Sequence, residues 1–380
     1  MAVPVMTIDG DVVATHSYWT DDGSRIMTDA TVLTSDGQEV VVSQLGGVVD
    51  GIGMRTMSEQ QVLEPGMHVA VAAHKDVDLS QQEHVVLDSA KVMTYPRNYV
   101  RTTGPNKEKL YWASGCAIVT TDSDGTMEIA GDGEFPIVGA AMNEWNTKTA
   151  SCSYFKVMDG GRKSLEVGND GVNLIKFRDT FWGLPAVGNA AAVPHASSAA
   201  GITTATYISD PKSPRDGEIV DADIEINGVN FTIAASPTDP EINGQGLAVL
   251  QNTLTHELGH LHGLEHTCYL GTTDPGWTDN QGNPVPACAA GLPATIVDAT
   301  MYPTQNYGET KKETLSDDDI QSMCDIYPIS AGPKACEEPS KSTGGGCCSA
   351  SGGGRPEVSL LLAGTTVLLL RRRRRLSREA

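Results

Sequence analysis

The sequence lacks the two segments by which an exported or membrane protein is usually recognised. Its N-terminus, MAVPVMTIDGDVVATHS, has no basic stretch followed by an apolar core, so it does not read as a secretory signal. The apolar run at 358–370 would span about 20 Å as a helix, short of the roughly 30 Å hydrocarbon core of a bilayer. We therefore expect no permanent membrane span, and we expect the true start to lie upstream of Met1 or to have been removed.

Basic residues are scarce and unevenly placed. The chain has 27 Lys and Arg against 48 Asp and Glu, a net charge of −21. From Lys341 onward there are eight basic and two acidic residues, so the part before Lys341 carries a net −27. Because a protein that binds a phosphate backbone needs a basic face, this distribution excludes nucleic acid as a partner of the folded part.

The eight cysteines have no CxxC spacing of the kind that zinc ribbons use. Disulfides formed in an oxidising compartment are the better interpretation. Proximity in sequence favours three pairs, although six cysteines permit many other pairings: Cys116 with Cys152, Cys268 with Cys288, and Cys324 with Cys336. Cys347 and Cys348 stand apart in a Gly/Ser stretch.

The chain divides by pattern into four parts. Residues 1–97 contain short strand-like runs such as EVVVSQL, HVAVAA and EHVVLDS, separated by turn signals, and predict a small all-β domain. Residues 98–333 mix helical and strand periods and predict an α+β domain. A Gly/Ser/Cys-rich linker is expected over 334–357, followed by an apolar and arginine-rich segment over 358–380.

Three helices are predicted in the second part. The run EFPIVGAAMNEWN has helical spacing, and GQGLAVLQNTLTHELGHLHG predicts a helix of about five turns whose leucines, from Leu247 to Leu261, form one stripe. Gly263 is placed as its C-terminal stop. The last helix should begin at Ser316 as N-cap, with Asp319 at the capping-box position.

Four of the residues between 256 and 266 are suited to a metal site. His256 and His260 are four residues apart, so on a helix both rings face one point. Glu257 then lies beside the metal, close enough to take a proton from water. Gly263 can turn the chain sharply, and His266 can return to complete a three-histidine site with one position open.

The other histidines are assigned no metal-binding role. His262 falls between the ligands on another face of the helix and is interpreted as a pocket-lining or surface residue. The remaining five lie in predicted strands or loops without partner ligands nearby: His16, His68, His74, His84 and His195.

The string HELGHLHGLEH has the form HExxHxxGxxH and resembles the metzincin zinc endopeptidases, in particular the matrixin branch. DATMYP is similar to their Met-turn, with Met301 under the zinc ligands, and LSDDDIQSMCDIYP to the helix that closes the matrixin catalytic domain. GEIVDADIEIN and DGVNLIKF resemble two of the core strands. The resemblance covers about residues 100–330.

The resemblance implies a twisted mixed sheet, an active-site helix and a C-terminal helix. It also implies a Zn²⁺ ion held by His256, His260 and His266, with Glu257 as general base in peptide-bond hydrolysis. Met301 would pack beneath the imidazole rings and orient them. The strand at 221–227 would be an edge along which an extended peptide could pair.

The chain also departs from the matrixin pattern. The 34 residues between His266 and Met301 form a long insert that carries two cysteines, either to narrow substrate choice or to stabilise the insertion. That insert keeps another metzincin branch, such as the pappalysin-like one, as an alternative. No cysteine-switch motif occurs in the N-terminal part, and Pro303 stands where astacin-like relatives have a tyrosine ligand, so Tyr302 is not assigned to the metal.

Structural Ca²⁺ is a second candidate ion because matrixin relatives often bind it. TDSDGTME and GNDGVN cluster oxygen ligands, but neither has the alternating Asp pattern closed by a distant Glu. Ordinary Asp-Gly turns are the favoured interpretation of both stretches.

The last residues combine small residues with Cys347 and Cys348, an apolar run and five consecutive arginines. This arrangement resembles the tripartite C-terminal sorting tails on exported proteins of myxobacteria, in which the cysteine region is processed and anchored. It implies an extracellular or cell-surface protein attached to the membrane or cell envelope, with the arginines on the cytoplasmic side. The alternative is a poorly ordered basic tail that binds acidic surfaces.

The sequence therefore predicts an exported zinc endopeptidase whose substrates are proteins or peptides. The alternative, from a different class, is a cell-surface adhesion or binding protein built on an inactive metalloprotease scaffold. Loss of Glu257 would have favoured that alternative, but the glutamate is present.

Overall fold

The computed structural model of the chain describes residues 5–34, 37–57, 63–74, 79–80, 99–187, 191–242, 244–271, 274–332 and 334–336. Met1–Lys341 form one compact unit and Ser342–Ala380 a second, and every described residue belongs to the first. The predictions for Cys347, Cys348 and the tail, and for a strand in EHVVLDS, lie outside the described residues.

Strands make up most of the regular structure in these ranges. They are β1 (Val5–Trp19), β2 (Ile26–Thr34), β3 (Glu39–Leu45), β4 (Gly47–Val49), β5 (Ile52–Thr56), β6 (His68–His74), β7 (Leu79–Ser80), β8 (Val100–Arg101), β9 (Cys116–Asp122), β10 (Lys156–Lys163), β11 (Asn173–Arg178), β12 (Gly183–Leu184), β13 (Val193–Pro194), β14 (Gly201–Ile208), β15 (Ile219–Asn227), β16 (Thr232–Ala234), β17 (Leu247–Val249) and β18 (Leu264–Glu265).

The helices of the described part lie in its second half. They are α1 (Glu134–Lys148), α2 (Leu250–Leu261), α3 (Ala294–Val297) and α4 (Asp317–Ile326), with short 3-10 turns at Lys311–Glu313 and Ile329–Ala331. The content is mixed and rich in strands, which confirms the α+β class.

The N-terminal strands form an antiparallel sheet in the order β3-β2-β1-β6-β7. Its apolar face buries a small cluster that includes Val12, Ala30 and Val32. The runs EVVVSQL and HVAVAA are strands as predicted, at β3 and within β6.

The larger sheet is mixed, in the order β10-β9-β11-β15-β14-β5-β4. Strands β10, β9, β11 and β15 are parallel to one another, whereas β14, β5 and β4 pair antiparallel. Helices α1 and α2 pack on it around the main core cluster. The predicted mixed sheet is therefore present, but 221–227 is an inner strand, β15, and the prediction that it is a free edge is wrong.

The chain passes from the first sheet to the second at Gly46 and Gly47. Both have positive φ, +101° and +134°, where residues with a Cβ are strained. As a result β4 and β5, which belong to the predicted N-terminal domain, complete the larger sheet. The predicted domain boundary at residue 97 falls within 81–98, outside the described residues, and stays a prediction.

Two helix predictions are confirmed and one is corrected. Helix α1 covers the predicted run, and α4 has the capping box in which the Ser316 and Asp319 side chains each bond to the other's backbone. Helix α2 begins at Leu250, later than predicted, because Leu247–Val249 pairs in parallel with Thr232–Ala234 as β17 and β16. Apolar spacing does not distinguish a buried strand from the start of a buried helix.

Three disulfides join cysteines of the described ranges: Cys116–Cys336, Cys152–Cys324 and Cys268–Cys288. Only the last matches the pairing predicted from proximity, so the pairs 116–152 and 324–336 are wrong. The fold explains the difference. Ile329 N–H donates to Cys152 O at 2.9 Å, which places the end of α4 beside the end of α1, and Gly115 N–H donates to Ala335 O at 2.9 Å.

We expect a non-reducing digest of the purified chain to yield linked peptides that contain 116 with 336, 152 with 324 and 268 with 288. Mass spectrometry before and after reduction identifies them. Peptides that link 116 with 152 would contradict the placement of the end of α4 beside the end of α1.

Disulfides of this kind are typical of an oxidising environment. Among the described helices, none combines the length and the apolar character that a bilayer crossing requires.

Candidate metal centre

Helix α2 carries two of the three predicted ligands and is buried along most of its length. Leu250, Leu254, Leu258 and Leu261 form a fully buried stripe in the main core. This stripe fixes the rotation of the helix, so His256 and His260, one turn apart, face the same side. The leucine stripe therefore stabilises the helix and also orients the two histidine side chains.

The three predicted ligands converge. His256 Nε2 and His260 Nε2 each lie 3.2 Å from His266 Nε2, and all three rings are buried. A zinc ion with Zn–N bonds of about 2.0–2.1 Å in tetrahedral geometry requires nitrogen separations of roughly 3.3–3.4 Å. All three ligand atoms lie within 4.8 Å of one another, so the triad could hold a metal ion.

Hydrogen bonds to backbone carbonyls set the tautomers of two rings. His256 Nδ1 lies 2.6 Å from Thr300 O, and His260 Nδ1 lies 2.8 Å from Leu264 O. A carbonyl oxygen only accepts, so each Nδ1 carries the proton and each Nε2 presents its lone pair. Lone pairs pointed at one another repel, and a cation between them removes the repulsion.

Burial keeps these rings neutral. It lowers the pKa of His260 to about 4 and lowers the pKa of His256 and His266 well below its usual value. Neutral imidazole is the form that binds metal, and a set of three imidazoles suits Zn²⁺ better than the oxygen-preferring Mg²⁺ or Ca²⁺.

Gly263 makes the turn that returns the third ligand. Its φ is +88°, and a Cβ there would lie 2.6 Å from Leu110 O. The residues after it, Leu264–Glu265, pair antiparallel with Val100–Arg101 as β18 and β8. The turn predicted from the glycine is therefore present, and the short pairing directs His266 back to the helix.

Glu257 follows His256 on α2, and one oxygen of its carboxylate is held by a hydrogen bond. Thr203 Oγ1 donates to Glu257 Oε2 at 2.7 Å, and the side chain is fully enclosed. Burial raises the pKa of Glu257 to about 7, although the Thr203 hydrogen bond acts in the opposite direction. A carboxyl group with a pKa near neutrality can accept a proton and later release it.

Met301 packs directly under the helix. A Cβ on Gly259 would overlap Met301 Sδ, so the glycine inside HELGH permits this close approach. Gly201 has the same relation to Glu257, because a Cβ there would lie 2.9 Å from Glu257 Cγ. Both glycines are part of the site's packing.

A carboxylate on α4 positions the backbone just before Met301. Asp319 Oδ2 accepts N–H from Thr300 at 3.1 Å and from Ser316 at 3.2 Å. The carbonyl of Thr300 in turn accepts from His256 Nδ1. Asp319 therefore supports a ligand through one intervening residue, which explains why the helix cap lies against the metal centre.

We expect Asp319→Ala to weaken zinc binding by about 10–100-fold, the usual cost of losing an outer partner of a ligating histidine. Competition with a chromophoric chelator measures the affinity. Gln321→Ala, at an exposed position of the same helix, is the control and should change nothing. Unchanged affinity in a folded Asp319→Ala chain would contradict this support role.

Lys312 is a charged residue of the site that the sequence did not reveal. It is buried, its Nζ donates to Tyr302 O at 2.5 Å, and its backbone N–H donates to Asn252 Oδ1 at 2.8 Å. Burial lowers the pKa of Lys312 to about 8, while the nearby Glu257 carboxylate favours its charged form. Its charge interacts electrostatically with Glu257 and with the three rings.

His262 differs from its predicted position. It lies in the core against Trp145 and Phe155, with ring centroids 4.6 and 5.5 Å away, and is neither at the surface nor in the metal centre. Burial lowers the pKa of His262 to about 3. The ring acts as an aromatic packing residue behind the helix.

The long insert and the acidic turns contribute no ligand group to the described part. Cys268 and Cys288 close the insert as predicted. Among the described residues, the histidine triad is the group found in which three or more His, Cys, Asp or Glu side chains bring their ligand atoms together. The acidic turns at 121–128 and 168–173 form no such group, and calcium stays a prediction.

Comparison with protein-family models gave no match, and a search of curated proteins gave none either.

Proposed function

We propose that the protein is a zinc-dependent endopeptidase that hydrolyses peptide bonds of extracellular proteins. The observation that carries the proposal is that His256 Nε2 and His260 Nε2 each lie 3.2 Å from His266 Nε2, while Glu257 follows His256 on the same helix with its carboxylate held by Thr203. A purely structural zinc site is closed by four protein ligands, whereas three histidines leave a position for chemistry.

A zinc ion held by the triad supplies a Lewis acid that polarises a carbonyl group and makes water more acidic. The protein's own part is proton transfer. Thr203 holds Glu257 Oε2, so Oε1 is the oxygen available to take a proton from water and deliver it to the leaving amine.

Lys312 and Thr203 limit how Glu257 can behave. The Lys312 charge favours the ionised carboxylate in a buried site, and the Thr203 hydroxyl fixes its direction. A carboxylate that is buried, oriented and close to neutral pKa has the properties of a general base rather than of a structural ion pair.

The sequence resemblance points the same way. HExxHxxGxxH, DATMYP and LSDDDIQSMCDIYP are the stretches on which the metzincin, matrixin-like proposal depends. Helix α2 carries the first two histidines, Met301 packs against Gly259, and α4 begins at the capping box of Ser316 and Asp319. The disulfides suit secretion, and the tail motif suggests attachment to the cell envelope.

The test uses the full chain, loaded with zinc and mixed with an unfolded protein. Zinc content is measured by elemental mass spectrometry, and new N-termini are identified by peptide sequencing. We expect one zinc per chain and internal cleavage that stops when a chelator removes the ion. Zinc bound with no cleavage by any form of the chain would favour the binding-protein alternative.

A further inference from the structure

Strand β14 is the part of the larger sheet that lies against Glu257. Its residue Thr203 bonds to the Glu257 carboxylate, and Gly201 packs on the same side chain. One side of β14 pairs with β15. The backbone groups of its other side are therefore the hydrogen-bonding edge next to the metal centre, where an extended polypeptide could add a strand.

The chain's own β5 covers that edge. Its residues pair antiparallel with β14, from Thr56 opposite Thr204 to Ile52 opposite Ile208. The pairing is continued at both ends, because Met57 N–H donates to Thr203 O at 2.7 Å and Ser209 N–H donates to Gly51 O at 2.8 Å. The carbonyl of Thr203, the residue that holds Glu257, is thus already used.

Side chains fit β5 to this place. Gly53 lies under the ring of Tyr207, and a Cβ there would come within 2.6 Å of the ring. Arg55 donates to Thr103 O at 2.6 Å and pairs with Glu265 at 3.4 Å. Glu265 precedes the ligand His266, so the N-terminal region is attached both to the strand and to the ligand-bearing turn.

We propose that β5, a strand of this chain's own N-terminal region, is a built-in competitor for the outer edge of β14, the edge along which an extended polypeptide substrate would pair. The inference rests on the proposed function. The same N–H and C=O groups cannot bond to two strands at once, so a polypeptide must displace β5 before its backbone can pair beside Glu257.

Attachment makes β5 an effective competitor. A segment on a short tether has an effective concentration of about millimolar, well above that of a micromolar substrate. Weakening β5 should therefore increase cleavage, whereas fixing it in place should prevent cleavage.

The first experiment compares two double variants of the full chain, Gly53→Ala/Arg55→Ala and Gly139→Ala/Arg162→Ala. The first introduces a Cβ under Tyr207 and removes the pair with Glu265. The second makes the same changes at an exposed glycine with open space around it and in an exposed ion pair with Asp132. We expect the first to cleave unfolded protein about 5–20-fold faster than the parent, the effect of losing two modest contacts, and the second to be unchanged.

The second experiment fixes β5 with a disulfide, Thr56→Cys/Thr204→Cys, at register partners. The locked chain should not cleave unfolded protein, and mild reduction should restore cleavage relative to the parent given the same reductant. This variant keeps the proposal falsifiable if the first one fails to fold. A locked chain as active as the parent would overturn the proposal.

A binding measurement separates this inference from the proposed function. In Glu257→Gln chains, a fluorescent peptide with the sequence of residues 47–57 serves as the probe. It should bind the Gly53→Ala/Arg55→Ala form at least about fivefold tighter than the parent, and not bind the locked form. Peptide binding, with no cleavage by any chain that retains Glu257, would reject the endopeptidase and keep the docking site. Equal binding and equal cleavage by the parent, the weakened form and the locked form would reject the docking site alone.

Discussion

A full-length chain with glutamine in place of Glu257 should retain its zinc and lose cleavage of unfolded protein by about 10²–10⁴-fold, the range of general acid–base contributions. Glutamine has nearly the same shape and can still accept the Thr203 hydroxyl, so the packing around Gly201 is preserved. It cannot accept a proton from water at neutral pH. The loss should therefore appear in turnover and leave zinc affinity unchanged.

The measurement is best made in the Gly53→Ala/Arg55→Ala background, where β5 should compete least. Glu218→Gln is the matched control, because Glu218 pairs with Arg215 away from the metal centre. It should cleave at the parent rate. A Glu257→Gln chain that keeps most of its activity would show that another group moves the proton.

Replacing His266 with alanine should abolish stoichiometric zinc binding. His266 Nε2 is the atom that both other Nε2 atoms approach at 3.2 Å, so its removal leaves two ligands one helical turn apart. The loss of affinity should exceed the roughly hundredfold that removal of an outer partner costs, and cleavage should fall with zinc content.

His16→Ala is the control for this variant. His16 is exposed in β1, beside Tyr18, and should contribute nothing to zinc binding. Zinc content is measured after dialysis against a weak chelator, and circular dichroism checks that the fold is kept. A His266→Ala chain that still holds one zinc per molecule would place the ion elsewhere.

The local parts of the fold and the site could be predicted from the sequence. The i, i+4 spacing of His256 and His260 fixes their common face on any helix, and Gly263 with its positive φ makes the predicted turn. The Ser316 and Asp319 capping box is likewise a property of four adjacent residues. Each of these depends on atoms within about two helical turns.

Non-local features could not be predicted. The partners of Cys116 and Cys152 depend on the end of α4 lying beside the end of α1 and on Ala335 lying beside Gly115 at the start of β9, and no spacing rule encodes that. Strand 221–227 alternates like an edge strand, yet β14 and then β5 lie outside it. The apolar spacing predicts too early a start for α2, because residues 247–249 pair in parallel with β16 as a strand.

Several residues around the metal centre also depend on non-local packing. Thr203 and Gly201 lie 47 or more residues before α2, and Lys312 lies 51 residues after its end. They reach Glu257 only through sheet and loop packing. Gly259 is a sequence signal that could have indicated part of this packing. A glycine inside a helix often marks a close contact, and here the contact is with Met301.

The most direct test of the central claim is X-ray absorption at the zinc edge of the zinc-loaded full chain. The account predicts a first shell with three imidazole nitrogens at about 2.0–2.1 Å and one further oxygen or nitrogen atom. Sulfur scattering at about 2.3 Å, which indicates cysteine ligands, or a shell of oxygens without imidazole would contradict it.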